Sequence, residues 1–150
     1  SRTSDAIYAI RREAQQREEA RRAEERRLAS QEAIQLREKL GFDNGKLSIC
    51  VPASAVAIVD EGKALHHCVG GYASRHAEGK LHILFIRKDS DPDKPYFTME
   101  LSTNGNVIQV RGLKNCDPPE DVKILVEDYK KYIRPLFAKR HKKEKVRISA

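Results

Sequence analysis

A run of seventeen residues, from Arg11 to Arg27, contains only Arg, Glu, Gln and Ala. All four residue types favour the α-helix, but the run has no Leu, Ile or Val stripe with which a helix could pack deeply against a core. We therefore predict one long helix over residues 5–40, begun by Ser4 as N-cap and ended by Gly41. Residues 1–41 are interpreted as a long charged helix or spacer, and this helix is the predicted contact with a protein partner.

The rest of the chain has room for one small domain. Charged residues make up 34% of the sequence and aromatic residues 6%, with no Trp, which indicates a small core. No apolar run approaches the ~20 residues that a membrane helix needs, and no secretory signal precedes the domain. Three widely spaced cysteines argue against a disulfide framework. We predict a cytoplasmic protein with no membrane partner.

The net charge of +7 is concentrated at the end of the chain. Residues 42–138 carry equal numbers of acidic and basic side chains, whereas residues 139–150 form a strongly basic tail. A basic tail is typical of nucleic-acid binding through phosphate neutralisation, and a solvated, disordered terminus is the alternative. The predicted nucleic-acid-binding residues are Lys139, Arg140, Lys142, Lys143, Lys145 and Arg147.

Patterns within residues 42–138 predict an α+β domain, a small antiparallel sheet with a central Asn-Gly hairpin packed by helices. The predicted strands are 47–51, 83–86, 96–103 and 106–113. The predicted helices are a segment around 56–59 capped by Ser54, residues 72–78, and a last helix with Asp117 as N-cap and Pro118 at its first position.

The Asn104-Gly105 dipeptide is the strongest short hairpin signal. A two-residue turn there pairs Leu101 with Ile108 and Glu100 with Gln109. It predicts a core face consisting of Met99, Leu101, Ile108 and Val110. It predicts a polar face consisting of Tyr96, Thr98, Glu100, Gln109 and Arg111. A carboxylate and a guanidinium one diagonal step apart on that face could hold an anion beside a base, and an ordinary solvent face with cross-strand polar pairs is the alternative.

The segment from His66 to Tyr72 concentrates chemically active side chains. Imidazole is the commonest acid or base near neutral pH. Because adjacent side chains point in different directions, we select His67, rather than His66, for the site. Cys68 is either a small buried side chain or a nucleophile. A zinc site formed by His67, Cys68, His76 and His82 matches no standard spacing, so we predict no metal and no cofactor.

Several short motifs are spread over the domain. They are Glu61-Gly62, His67-Cys68-Val69-Gly70 with Tyr72, Ile86-Arg87, Glu100-Leu101, Gln109, Arg111-Gly112 and Asn115. In order and spacing they resemble the PcfJ-like proteins of conjugative plasmids and phages. The resemblance spans residues 47–134 and leaves out the charged helix and the basic tail. It implies that residues 42–138 are a PcfJ-like globular domain from a mobile genetic element, with motif positions at His67, Cys68, Tyr72, Glu100, Gln109 and Asn115.

The residues favour a nucleic-acid-processing function, with RNA or DNA as the partner. The first hypothesis is a metal-independent endoribonuclease in which Glu100 is the base, His67 the acid and Arg111 the phosphate clamp. Substrate binding is assigned to three further residues, Tyr72, Gln109 and Asn115.

Two alternatives stay open. One is a non-catalytic nucleic-acid or protein-binding module of a transfer or replication apparatus, in which the long helix and the basic tail are the working parts. The other is a transferase or hydrolase that depends on Cys68 and a histidine.

Overall fold

The chain folds as an α+β protein with a long N-terminal helix, as predicted. The structure is a computed structural model that describes residues 1–67 and 71–149, with side chains as far as residue 138. The helices are α1 (Arg2–Leu36), α2 (Ala55–Leu65), α3 (Tyr72–Ala77) and α4 (Glu120–Ser149). The strands are β1 (Phe42–Asp43), β2 (Leu47–Cys50), β3 (His82–Lys88), β4 (Phe97–Leu101) and β5 (Val107–Arg111). Two 3₁₀ turns cover Arg37–Lys39 and Leu113–Asn115.

Helix α1 carries almost no packing surface, as its composition predicts. Ser1, rather than Ser4, is the N-cap, because its side chain accepts a hydrogen bond from the Ser4 backbone N–H. Ala33 is its buried residue. Along the exposed middle, pairs such as Arg21 with Glu25, at 2.8 Å, connect successive turns, a modest contribution to helix stability.

The five strands form one antiparallel sheet in the order β1-β2-β3-β4-β5. The hairpin of β4 and β5 therefore lies at one edge, with β3 in the centre. The predicted pairing of Glu100 with Gln109 is confirmed. A bulge then places Leu101 opposite Val107, so the pairing of Leu101 with Ile108 is wrong. The extra residue turns Ile108 out to solvent, where it is 56% exposed instead of in the core.

Each face of the sheet packs against its own helices. On one face, Leu84, Ile86 and Met99 belong to a large buried cluster with Leu125 and Tyr129 of α4. On the other face, a smaller cluster joins the sheet to α2 and α3, through Ile58, Ala73, Leu81, Ile83 and Phe85. The polar residues of β4 and β5 lie on this second face, beside the smaller core.

Helix α4 differs from its prediction at both ends. It begins at Glu120, so Asp117 and Pro118 precede it rather than cap it. Asp117 instead accepts a hydrogen bond from Arg111, and Pro119 disfavours the helical conformation at Pro118, the residue before it. Pro135 lies inside the helix, which continues to Ser149. The backbone of the basic tail is therefore helical, and the side chains of its six predicted nucleic-acid-binding residues lie outside the described part.

A buried arginine fastens the end of α1 to the domain. Arg37 donates from Nε to Nδ1 of His82 at 2.9 Å. Its Nη2 donates to two backbone carbonyls, that of Leu81 at 2.9 Å and that of His76. His76 in turn accepts from the Ile83 backbone N–H through Nδ1, at 2.9 Å. Burial, with a smaller contribution from the Arg37 charge, lowers the pKa of His76 to about 4. This junction thus requires a neutral imidazole at His76.

Candidate active-site cleft

One small cleft lies between the end of α2, the start of α3, the β4-β5 hairpin and the second 3₁₀ turn. Its lining residues are His67, Tyr72, Ile83, Thr98, Glu100, Gln109, Arg111 and Asn115. All six residues to which the sequence assigns catalysis or substrate binding are in this set. Its volume is about 30 Å³, close to the share of one liquid water. The cleft can therefore admit a reacting group at its mouth but cannot enclose a nucleotide.

The C-terminus of α2 sets the position of His67. His66 adopts a left-handed conformation, with φ of 51°, and caps the helix. The His67 backbone N–H then donates back to the Gly62 carbonyl at 3.2 Å, which completes a Schellman motif. This turn leaves His66 exposed and His67 half-buried against the sheet. There, Nε2 of His67 lies 3.0 Å from the Thr98 hydroxyl.

A buried ion pair, which the sequence analysis missed as part of the site, lies behind that contact. Both guanidinium Nη atoms of Arg87 donate to the carboxylate of Glu61, each at 2.7 Å. The Glu61 side chain is 1% exposed and that of Arg87 10%. The Thr98 hydroxyl donates to Oε2 of the same carboxylate at 3.4 Å. One signal pointed to this pair: Glu61 and Arg87 both belong to the motifs that carry the family resemblance.

On the other side of the cleft, an amide holds the second candidate carboxylate. Gln109, opposite Glu100 in the hairpin, donates from Nε2 to Oε1 of Glu100 at 3.1 Å. The same Nε2 lies 3.3 Å from the hydroxyl oxygen of Tyr72, at the first turn of α3. Glu100, Gln109 and Tyr72 are all half-buried. The bonds fix the orientation of the Glu100 carboxylate at the edge of the cleft.

The cationic member of the site is more loosely held. Arg111 pairs with Thr98 across the hairpin and donates from Nη1 to Asp117. The Arg111 side chain is 42% exposed, and that of Asp117 is 87% exposed. Asn115 closes the same side of the cleft from the 3₁₀ turn, with a positive φ of 61°, a conformation that Asn tolerates better than most residues. The guanidinium is therefore accessible to an anion from solvent.

Of the three histidines considered for zinc, His67 lines the cleft and His76 and His82 do not. The Nδ1 atoms of His76 and His82 take part in the hydrogen bonds around Arg37, away from His67. Cys68, the fourth member and the candidate nucleophile, lies outside the described residues. Over the described side chains, those of residues 1–67 and 71–138, no group of three or more His, Cys, Asp or Glu is placed to hold a metal ion. The Nδ1 atoms of His76 and His82 are instead used as hydrogen-bond acceptors at the Arg37 junction.

Comparison with known proteins identifies relatives of this chain. A family model described as "PcfJ-like protein" matches residues 5–126, and so extends into the charged helix that the motif resemblance left out. The chain is also 46% identical over 74 residues to a protein of Listeria innocua serovar 6a described as "Uncharacterized protein Lin1253/Lin1744". That alignment covers 48% of this chain and 16% of the Listeria protein.

No solved structure matches this chain. Among the described residues, no helix has the length and hydropathy needed to cross a membrane.

Proposed function

We propose that this chain, which belongs to the PcfJ-like protein family, carries a metal-independent endoribonuclease site in its small cleft. The supporting observation is that six residues selected from the sequence for RNA cleavage line the same cleft. They come from parts of the chain as far apart as α2 and the second 3₁₀ turn. We also propose, from the family resemblance, that the protein processes nucleic acid for a phage or conjugative plasmid.

The proposed reaction is transesterification at phosphorus. The Glu100 carboxylate takes the proton of the ribose 2′-hydroxyl, and the 2′-oxygen forms a bond to phosphorus. The bond from phosphorus to the 5′-oxygen breaks, and His67 gives a proton to that leaving oxygen. The products are a 2′,3′-cyclic phosphate and a 5′-hydroxyl. Gln109 and Tyr72 hold the carboxylate in place, so the base does not need to reorient.

Arg111 is suited to bind the phosphate because its present partner is easily replaced. Its ion pair with Asp117 is solvent-exposed, and such pairs typically contribute less than about 1 kcal/mol to stability. A phosphate can accept two parallel hydrogen bonds from a guanidinium. Exchange of Asp117 for phosphate would therefore cost little and would place positive charge beside the reacting phosphorus, where negative charge develops.

The test is cleavage of single-stranded RNA in EDTA by the purified protein. We expect His67→Ala and Glu100→Gln to reduce the rate by about 100-fold or more, the usual range for loss of a general acid or base. The neighbouring exposed histidine provides a matched control, because His66→Asn changes a histidine outside the cleft and keeps a residue that tolerates the left-handed conformation. Circular dichroism would verify that each variant is folded.

Two results would contradict the proposal. The first is that the wild-type protein leaves RNAs of varied sequence intact. The second is that it cleaves a substrate whose ribose carries no 2′-hydroxyl at the scissile position, because the proposed nucleophile is then missing.

A second candidate, a nucleic-acid-binding module without catalysis, is favoured by one observation. The backbone of α4 is helical through the basic segment to Ser149, and a basic helix can present charge to phosphates. Binding would weaken steeply with salt, would disappear on deletion of residues 139–150, and would survive His67→Ala. Salt-dependent binding with no cleavage would favour this module over the nuclease.

A further inference from the structure

We infer that Thr98 and Glu61 are positioning residues for His67, an inference that deepens the proposed function and rests on it. They form a chain of hydrogen bonds from a buried ion pair to the imidazole. The chain starts at the Glu61 carboxylate, passes through the Thr98 hydroxyl and ends at Nε2 of His67.

The hydrogen atoms that each group carries determine which group donates and which accepts in these hydrogen bonds. Arg87 donates two N–H groups to the Glu61 carboxylate, and an ionised carboxylate can only accept. The Thr98 hydroxyl must therefore donate its hydrogen to Glu61. A hydroxyl has one hydrogen, so towards His67 the Thr98 oxygen can only accept. Nε2 of His67 consequently carries a hydrogen in both the neutral and the protonated imidazole.

The consequence concerns which nitrogen of His67 exchanges protons. If Nε2–H is held by Thr98, Nδ1 is the atom that gives up the proton in the proposed reaction. The chain thus fixes both the ring orientation and the tautomer, as a third group does for the base in a catalytic triad. Because Thr98 and the Glu61 side chain are buried, water does not compete readily for these bonds.

Thr98→Val removes the hydroxyl with little change of shape and leaves the Glu61–Arg87 pair intact. We expect kcat for RNA cleavage to fall about tenfold with KM unchanged, and Thr98→Ser to restore it. An independent measurement is the ¹H,¹⁵N spectrum of the histidine rings. The wild type and Thr98→Ser should show a His67 Nε2–H protected from exchange with water, and Thr98→Val should lose that protection.

The two measurements separate the two proposals. If His67 carries its neutral-state hydrogen on Nδ1, or if Thr98→Val retains the protected Nε2–H, the positioning inference is overturned whatever the activity. If RNA is not cleaved while the protected Nε2–H behaves as expected, the endoribonuclease proposal fails and the hydrogen-bond chain stands.

Discussion

The neutral His76 makes the stability of the fold depend on pH. Its pKa is lowered from an ordinary 6.5 to about 4, first by burial and then by the nearby Arg37 charge. Below pH 6.5 the unfolded chain therefore binds a proton that the folded chain does not bind until the pH approaches 4. The free energy of unfolding must fall as the pH falls through this window. At 1.36 kcal/mol for each pKa unit, the loss is about 3 kcal/mol between pH 7 and pH 4.

His76→Asn isolates this contribution. The side-chain oxygen of Asn can occupy the position of Nδ1 and accept the hydrogen bond from the Ile83 N–H, but it does not titrate. The free energy of unfolding would be measured by urea denaturation at several pH values, with tyrosine fluorescence as the signal. Relative to the wild type, we expect the His76→Asn protein to lose about 3 kcal/mol less between pH 7 and pH 4.

The matched control is His66→Asn, which replaces an exposed histidine at the end of α2. Its stability should follow the wild-type pH dependence. Other groups that titrate in this range affect all three proteins alike, so the difference between variants reports His76. If the wild type and the His76→Asn protein lose stability in parallel, the reasoning from burial is refuted.

Four other substitutions, one of them a control, test the packing, each by urea denaturation at pH 7. Gly105→Ala should destabilise the hairpin by about 2 kcal/mol or more, because φ is +86° and the new Cβ would lie 2.6 Å from the ring of Phe137. Leu125→Ala should lower the free energy of unfolding by about 2–5 kcal/mol, since the side chain is fully buried. Ile124, its neighbour on the same helix, is 52% exposed, so Ile124→Ala should lower it by less than about 1 kcal/mol. Tyr129→Phe should cost about 1–2 kcal/mol, because a buried backbone carbonyl loses the hydroxyl that donates to it at 2.7 Å. Equal losses at positions 124 and 125, or no loss at 105 or 129, would contradict the packing described.

Signals that act over a few residues predicted local structure well. Ser54 does cap α2, accepting from the Ala57 N–H at 3.3 Å. The strand beginning at Leu47 ends before Pro52. From Thr98 to Glu100, the residues of β4 have the β5 partners that the Asn-Gly hairpin predicted. In each case the cause is a hydrogen bond or a steric preference between neighbours in the sequence, which the residue types disclose.

What the sequence could not supply depends on distant contacts or on competing local ones. The bulge shifts the pairing of the two strands between Glu100 and Leu101 and exposes Ile108. It arises because the loop of Ser102–Asn106 closes with its own hydrogen bonds. The Glu61–Arg87 pair joins residues 26 apart in the sequence. Each half is visible in the sequence as part of a family motif, Glu61-Gly62 or Ile86-Arg87, but only the fold shows that the two side chains meet behind His67.

Because of the way α1 contacts the domain, the number of residues in the helix determines the direction in which its N-terminal side chains point. At its domain end, a Cβ on Gly79 would lie 2.5 Å from the carbonyl oxygen of Ser30, and Arg37 is held by buried hydrogen bonds. The helix is thereby fixed in rotation about its own axis as well as in tilt. Each residue inserted between Tyr8 and Ser30 would turn the exposed N-terminal side chains by about 100° and move them about 1.5 Å outward. The direction in which Ile7 and Tyr8 point relative to the cleft therefore depends on the number of residues in between. An insertion of eighteen residues, about five whole turns, would leave that direction unchanged.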